Sequence, residues 1–253
     1  MTSVHTSGFT QELASLAKEL GADLFGVADL QPVREFILNQ GGERLGSFTH
    51  GISIGIGLSY TIVDHIDSEL PADHSVYGWH LYKVVSPAID SIAWHLARRI
   101  QERGYLALPI PTSQYRAPGE RRAIFSHKLA AHLAGLGWIG KNCLLITPEF
   151  GPRVRLASVL TNCPLEPGQR IDDRCGDCRE CVDACPVHAL TGVEFCDEEG
   201  REARLRAEVC GAYRDGKGSL RSGHVCGLCL AVCPKAYPVE CRACSQSAIA
   251  LHA

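Results

Sequence analysis

The sequence predicts an α+β chain in two parts. Residues 1–166 read as an α/β domain and residues 167–253 as a smaller, cysteine-organised one. Three observations carry this. Apolar residues recur at helical spacing in some segments and as short β-type runs in others, and the two kinds intermix up to Thr161. The 13 cysteines are unevenly spread, with none before Cys143 and most after residue 160. A chain of 253 residues that is 45% hydrophobic can bury one medium core and one small one.

The elements follow in order. Phe9, Leu13, Leu16 and Leu20 mark an amphipathic opening helix, with Thr10 as its expected cap and Gly21 as its stop. Leu24–Val27 is a short apolar strand. Ser53–Tyr60 (SIGIGLSY) is another, and its glycines allow a backbone or a ligand to come close, although plain sheet packing explains them as well. Ile89, Ile92, Ala93, Leu96 and Ile100 trace a longer helix that Gly104 ends, followed by a strand at Leu106–Ile110. Ser126–Ala134 is helical and stopped by Gly135. Strands at Cys143–Thr147 and Val154–Thr161 flank a turn at Pro148–Pro152 and are expected to pair as a hairpin.

Between that helix and that hairpin lies Gly135-Leu136-Gly137-Trp138-Ile139-Gly140-Lys141. It matches G-x-G-x-x-G in form only. A dinucleotide fingerprint leaves a strand and opens a helix, so that the helix N-terminus meets the pyrophosphate. This segment leaves a helix and enters a strand. Its glycines instead predict a backbone pressed against something bulky.

The chemistry is concentrated in the cysteines. Cys175, Cys178, Cys181, Cys185 and Pro186 spell C-x₂-C-x₂-C-x₃-C-P, and Cys226, Cys229, Cys233 and Pro234 repeat the second half. This is the spacing of two [4Fe-4S] clusters, in which three close cysteines wrap one cubane and the fourth crosses to the other. Crossed ligation groups Cys175, Cys178 and Cys181 with Cys233, and Cys226 and Cys229 with Cys185. The second group is one thiolate short. Cys210 is the candidate to complete it, because the Gly-rich stretch from Gly216 to Gly223 lets the chain bend back. Zinc needs only four ligands in two pairs and has no use for the extra cysteine of each Cys-Pro run. A disulfide framework belongs to small secreted chains. Cys143 and Cys163 sit in apolar contexts and read as small buried residues. Cys196 has no partner spacing, and Cys241 and Cys244 form a lone CxxC with no essential role assigned.

Charge and hydropathy set outer limits. Net charge is −3 and the isoelectric point about 6.4, which argues against strong capture of a phosphate backbone. Met1–Phe9 lacks the basic and apolar regions of a signal peptide, and no apolar run reaches membrane-spanning length, so a cytoplasmic protein without a membrane partner is expected.

His127-Lys128-Leu129-Ala130-Ala131 running into Ala134–Asn142 (AGLGWIGKN), then Leu144–Asn162 (LLITPEFGPRVRLASVLTN) and the paired cysteine motifs, resembles the epoxyqueuosine reductases and their reductive dehalogenase relatives. The resemblance is strongest over residues 120–235. Upstream it rests on the opening helix, the SIGIGLSY strand and Tyr77-Gly78-Trp79-His80. It implies a nitroreductase-like α/β domain that holds base-off cobalamin, joined to a ferredoxin-like double [4Fe-4S] domain. It also implies an external low-potential donor, ferredoxin or flavodoxin. Gly137, Trp138, Lys141 and Asn142 are the implied corrin contacts, with Tyr77, His127 and Lys128 as further cofactor-binding candidates. His127 reads equally well as a helix-packing residue.

The same resemblance places an acidic proton donor shortly before the helix, and counting back from Leu129 reaches Glu120. A carboxylate is present without the surrounding Asp-Ser-Ala-Pro motif. Glu120 serves as a general acid only if burial raises its pKa; otherwise it is a solvated neighbour of Arg121 and Arg122. Tyr115 is the alternative donor, because the dehalogenase relatives use a tyrosine. The expected function is an iron-sulfur oxidoreductase that passes electrons from two clusters to cobalamin and reduces a small substrate. The rivals are a non-catalytic iron-sulfur electron carrier and a truncated tRNA epoxyqueuosine reductase. The acidic isoelectric point, and the lack of the C-terminal helical repeats of the tRNA-modifying members, argue against tRNA as partner.

Overall fold

A computed structural model describes residues 2–66, 71–113, 121–216 and 225–236, with the side chains of 2–6, 71–74 and 236 excepted. Tyr115, Glu120, Cys241, Cys244 and most of the stretch from Gly216 to Gly223 lie outside the described residues.

Four strands form the central sheet: β1 (Leu24–Asp29), β2 (His50–Gly57), β3 (Ala107–Ile110) and β6 (Val154–Thr161). Their order is β1-β2-β6-β3, and every pairing is antiparallel. Two short strands, β4 (Trp138–Ile139) and β5 (Leu145–Ile146), pair separately with Trp138 opposite Ile146. The expected hairpin between 143–147 and 154–161 is therefore not formed. Thr147 and Gly151 make only an isolated bridge, after which β6 inserts between β2 and β3. The last five residues of β6 are all buried, so this strand stabilises the fold most where both its edges and both its faces are covered.

Helices cover the two faces of the sheet. On one side α1 (Thr2–Glu19) supplies Phe9, Leu13 and Ala17, and α5 (Ser86–Gln101) supplies Ile89, Ile92, Leu96 and Ile100 against Val27, Ile52, Ile54, Ala157 and Val159. On the other side α2 (Arg34–Gly41) and α6 (His127–Leu133) bring Ile37, Ala130 and Leu133 onto Ala28, Ile110 and Leu160. Fully burying side chains of this size contributes roughly 1.5–3 kcal/mol each. The first part is thus a mixed α/β body around an antiparallel sheet.

Caps set several boundaries. Thr10 is not the start of α1, which begins at Thr2; its hydroxyl accepts instead from the Glu166 amide at 3.0 Å. Gly21 does end that helix, with φ +100°, Ala22 N–H to Ala17 O and Gly21 N–H to Lys18 O. Gly135 ends α6 in the same manner, with Leu136 N–H bonded to Ala131 O. Ser126 caps the start of α6 by accepting from Leu129 N–H.

A short α3 (Tyr60–Val63) precedes α4 (Pro71–Trp79), and α4 runs into α5 through a π-helical stretch at His80–Val85. The cause is local: Pro87 has no N–H to give and its ring crowds the preceding turn. Ser86 answers by bonding Leu81 O with both its backbone N–H and its hydroxyl, the latter at 2.7 Å. The widened turn aims Tyr77, Leu81 and Val85 at Val225 and Leu230 of the cysteine-rich part.

Candidate iron-sulfur centre

Two small helices build the site in parallel fashion. In α7 (Glu180–Asp183) the second residue is Cys181, and in α9 (Leu228–Ala231) it is Cys229. Each helix is followed by a turn carrying the last cysteine of its motif, with Cys185 N–H on Val182 O and Cys233 N–H on Leu230 O. Prolines 186 and 234 then end each turn, because proline cannot continue the helical hydrogen bonding. Gly227 opens α9 at φ +115° and packs so closely on Tyr77 that any side chain there would press into the ring.

Cys175, Cys178, Cys181 and Cys233 ring one pocket, together with Lys141, Asn142, Ile146, Pro234 and Lys235. Cys185, Cys210 and Cys229 lie together, with Cys226 as an electrostatic neighbour of Cys210 and Cys229. Cys185, Cys210 and Cys229 share one apolar cluster with Cys181, and Cys210 is held in α8 (Ala207–Gly216). Among the described residues no group of three or more Cys, His, Asp or Glu closes on a single metal ion. A ring of thiols around a pocket is instead what an iron-sulfide cage requires.

The electrostatics fit such a cage. Burial pushes the Cys181 thiol up to about 11, and the neighbouring Cys233, Cys175 and Cys178 push the same way. Cys229 is raised further, first by burial and then by Cys226 and Cys210. Cys210 is raised by burial and by Cys226 and Cys185, against the pull of Arg214 and Arg121. Buried sulfurs that repel one another are poor thiolates on their own. A cationic cage reverses this and ionises them all.

The rest of the chain grips these loops. Lys141, 8% exposed, donates to the carbonyls of Gly176 and, at 3.4 Å, Cys178; its ammonium also stands 3.9 Å from Glu194. Asn142 donates to Cys229 O at 3.2 Å. Arg153, also buried, pairs with Asp64 at 2.5 Å and donates to Ala231 O at 2.9 Å. Arg121 lies across Gly211 of α8, where any Cβ would collide with its guanidinium, and pairs with Glu208 and Asp215. Spacing could not reveal Arg153 and Arg121, because both act across more than 75 residues of sequence.

The candidate corrin contacts are held against the protein's own groups. The glycines of the GWIGKN turn face the protein itself: a Cβ at Gly137 would collide with Ile146 O, and one at Gly140 with the Ile146 side chain. His127 bonds Ser158 Oγ and Pro111 O, both at 3.0 Å, and burial lowers its pKa to about 4. Lys128 donates to Cys143 O at 2.6 Å and to Cys143 Sγ at 3.0 Å, beside a backbone at φ +60°. Tyr77 is buried and its hydroxyl is raised well above its ordinary value by burial. Apart from Trp138, whose indole N–H has no partner, each polar side chain of this set is engaged or enclosed within the protein. The cysteines fit two clusters. Cys143 and Cys163 are buried, and the Cys163 thiol is pushed up to about 11 by burial.

Residues 174–236 match the family model described as a 4Fe-4S double cluster binding domain. The match describes the cysteine-rich part as a double [4Fe-4S] cluster binding segment. By sequence the chain is similar to the epoxyqueuosine reductase of Bacillus anthracis, 42% identical over 113 residues that make up 44% of this chain and 29% of that protein. By structure it is similar to an epoxyqueuosine reductase solved with a tRNA-Tyr epoxyqueuosine-modified stem loop (TM-score 0.59, 21% identity, 90% of this chain and 65% of that one). It is also similar to a reductive dehalogenase solved in connection with B12-dependent dehalogenation (TM-score 0.66, 18% identity, 97% and 34%). The chain spans less than a third of the first relative and about two thirds of the first solved structure. The expectation that tRNA is not a partner meets a counter-observation here, since a protein of this fold was solved with a tRNA stem loop. Among the described residues no helix is long and apolar enough to cross a membrane.

Proposed function

We propose that the chain is an iron-sulfur oxidoreductase of the epoxyqueuosine reductase and reductive dehalogenase kind. It takes electrons singly from an external low-potential donor, a ferredoxin or flavodoxin, through two [4Fe-4S] clusters. Cys175, Cys178, Cys181 and Cys233 hold one cluster, and Cys185, Cys210, Cys226 and Cys229 the other. The observation that carries this reading is the convergence of the first four thiols, from segments some 50 residues apart, on one pocket braced by Lys141 and Asn142. When bound, such cages move one electron at a time at low potential.

The acceptor in this reading is cobalamin, supported by the likeness to the B12-dependent dehalogenase. No step is assigned to it, because the side chains named from the sequence are engaged within the protein. Residues 114–120, with Tyr115 and Glu120, remain the proposed source of the substrate proton, one of them serving as general acid.

Anaerobically purified protein should hold about eight irons and as many sulfides per chain. Added cobalamin should bind and change its spectrum on reduction. Iron far below that level removes the cluster reading; full clusters without cobalamin binding leave an electron carrier.

A second reading has its own support in the B. anthracis relative and the tRNA stem-loop structure: an epoxyqueuosine reductase acting on tRNA. Turnover of epoxyqueuosine-modified tRNA by the reduced protein separates it from small-molecule reduction.

A further inference from the structure

We propose that the indole N–H of Trp138 donates a hydrogen bond to the Cys175 sulfur of the first cluster and so raises that cluster's reduction potential. This rests on the cluster reading above and adds to it a side chain that sets the energy of the electron.

Trp138 is 3% exposed, and its Nε1 is buried without a hydrogen-bond partner. Buried donors in folded proteins nearly always have one, so an orphan of this kind calls for an explanation. The indole packs in one apolar cluster with Cys175, Cys233, Ile146 and Ile171, against the wall of the pocket that the first four thiols ring. A neutral thiol is a weak acceptor; a cluster-bound thiolate is a strong one. The donor is thus satisfied when the sulfur carries cluster charge.

The surroundings fix the ring in place. Trp138 pairs with Ile146 across β4 and β5, and Gly137 lets the strand seat directly on the Ile146 carbonyl. The Arg174 guanidinium lies 5.9 Å from the indole centroid and closes the outer side. Each electron taken from the donor makes the thiolate-ligated cage one charge more negative. An N–H on a ligand sulfur stabilises the reduced form more than the oxidised one, and the potential rises. The buried Lys141 ammonium acts in the same sense through space, being committed to the Gly176 and Cys178 carbonyls. In the second group the Cys185 sulfur accepts from the Ala189 backbone N–H at 3.2 Å, a donor that no side chain supplies. Trp138 is therefore a side-chain control on one cluster alone.

The test is a potentiometric titration followed by electron paramagnetic resonance on the anaerobic cluster-loaded protein. It compares the native chain, Trp138→Phe, and a chain whose 3 tryptophans are 5-fluorotryptophan. Trp138→Phe should move one reduction step to more negative potential and leave the other in place. The fluorinated indole, a stronger N–H donor of nearly the same size, should move that same step the opposite way. In D₂O, pulsed resonance of the native reduced cluster should show an exchangeable deuteron that Trp138→Phe lacks. Unchanged potentials in a fully loaded Trp138→Phe, or no exchangeable deuteron in the native protein, overturn the proposal while leaving the clusters. If Trp138→Phe fails to load iron, the fluorinated chain and the deuteron signal decide. Failure of the native chain to load iron overturns the cluster reading itself.

Discussion

Cys210 and His127 illustrate what single residues contribute. In the proposed ligand set Cys210 completes the second group of sulfurs from a helix outside both motifs, so Cys210→Ser should cost that cluster and leave the other, lowering iron by about half. Iron analysis of the purified variant checks this, and full retention of iron would show that another group is the ligand. His127 has both ring nitrogens engaged, and its pKa is depressed to about 4 by burial from an unfolded value near 6.5. Protons then prefer the unfolded chain. Its contribution is complete above about pH 6.5 and is lost as pH falls toward 4, by about 3 kcal/mol at most. Denaturant midpoints for native protein and His127→Gln should converge between pH 7.5 and pH 5. At this scale the cluster cysteines are legible from spacing alone, because a cage imposes its ligand intervals on the chain. Trp138, Lys141 and Asn142 are visible only as a familiar motif: their partners, the loop around Cys175 and the Cys229 carbonyl, lie far along the sequence.

Elements show how the same residue type can mean opposite things. Gly8 sits inside α1 with open space around its Cα, so Gly8→Ala should stabilise by up to about 1 kcal/mol, the usual gain over glycine in a helix. Gly137 sits where a Cβ would strike the Ile146 carbonyl. Gly137→Ala should destabilise by about 1–3 kcal/mol, the range for overpacking a core, and loosen iron at the first set of thiols. Thermal unfolding and iron retention on gel filtration test the pair. The sequence shows both glycines and cannot separate them. The strands are legible where β-type runs are long, as with Val154–Thr161, which the structure reproduces. Its partner is not legible, because pairing depends on which edges the completed sheet leaves open.

Across the molecule, the α/β body and the cysteine-rich part meet through the apolar cluster around Tyr77 and a few buried polar contacts. Arg153 lies after the turn into β6, reaches Asp64 beyond α3 and bonds the carbonyl of Ala231, two residues before Cys233. Replacing it by methionine leaves that carbonyl and the Asp64 carboxylate without their cation, a loss of about 1–3 kcal/mol. Arg153→Met should therefore unfold at lower temperature and release iron faster under chelator than Asp64→Asn, whose carboxylate is partly solvated. Equal iron release in the two variants would assign the contact to the fold alone.

Cysteine intervals, helix stops and apolar periodicity are local properties, and from them the chain by itself settles an α+β body followed by a double-cluster segment. The tertiary structure alone decides that β6 lies between β2 and β3. It also decides that the GWIGKN turn closes on the protein's own backbone and presents its lysine and asparagine to the cluster loops. Each of these depends on which distant surfaces meet when apolar area is buried, and such pairings have no signature within a short window of sequence.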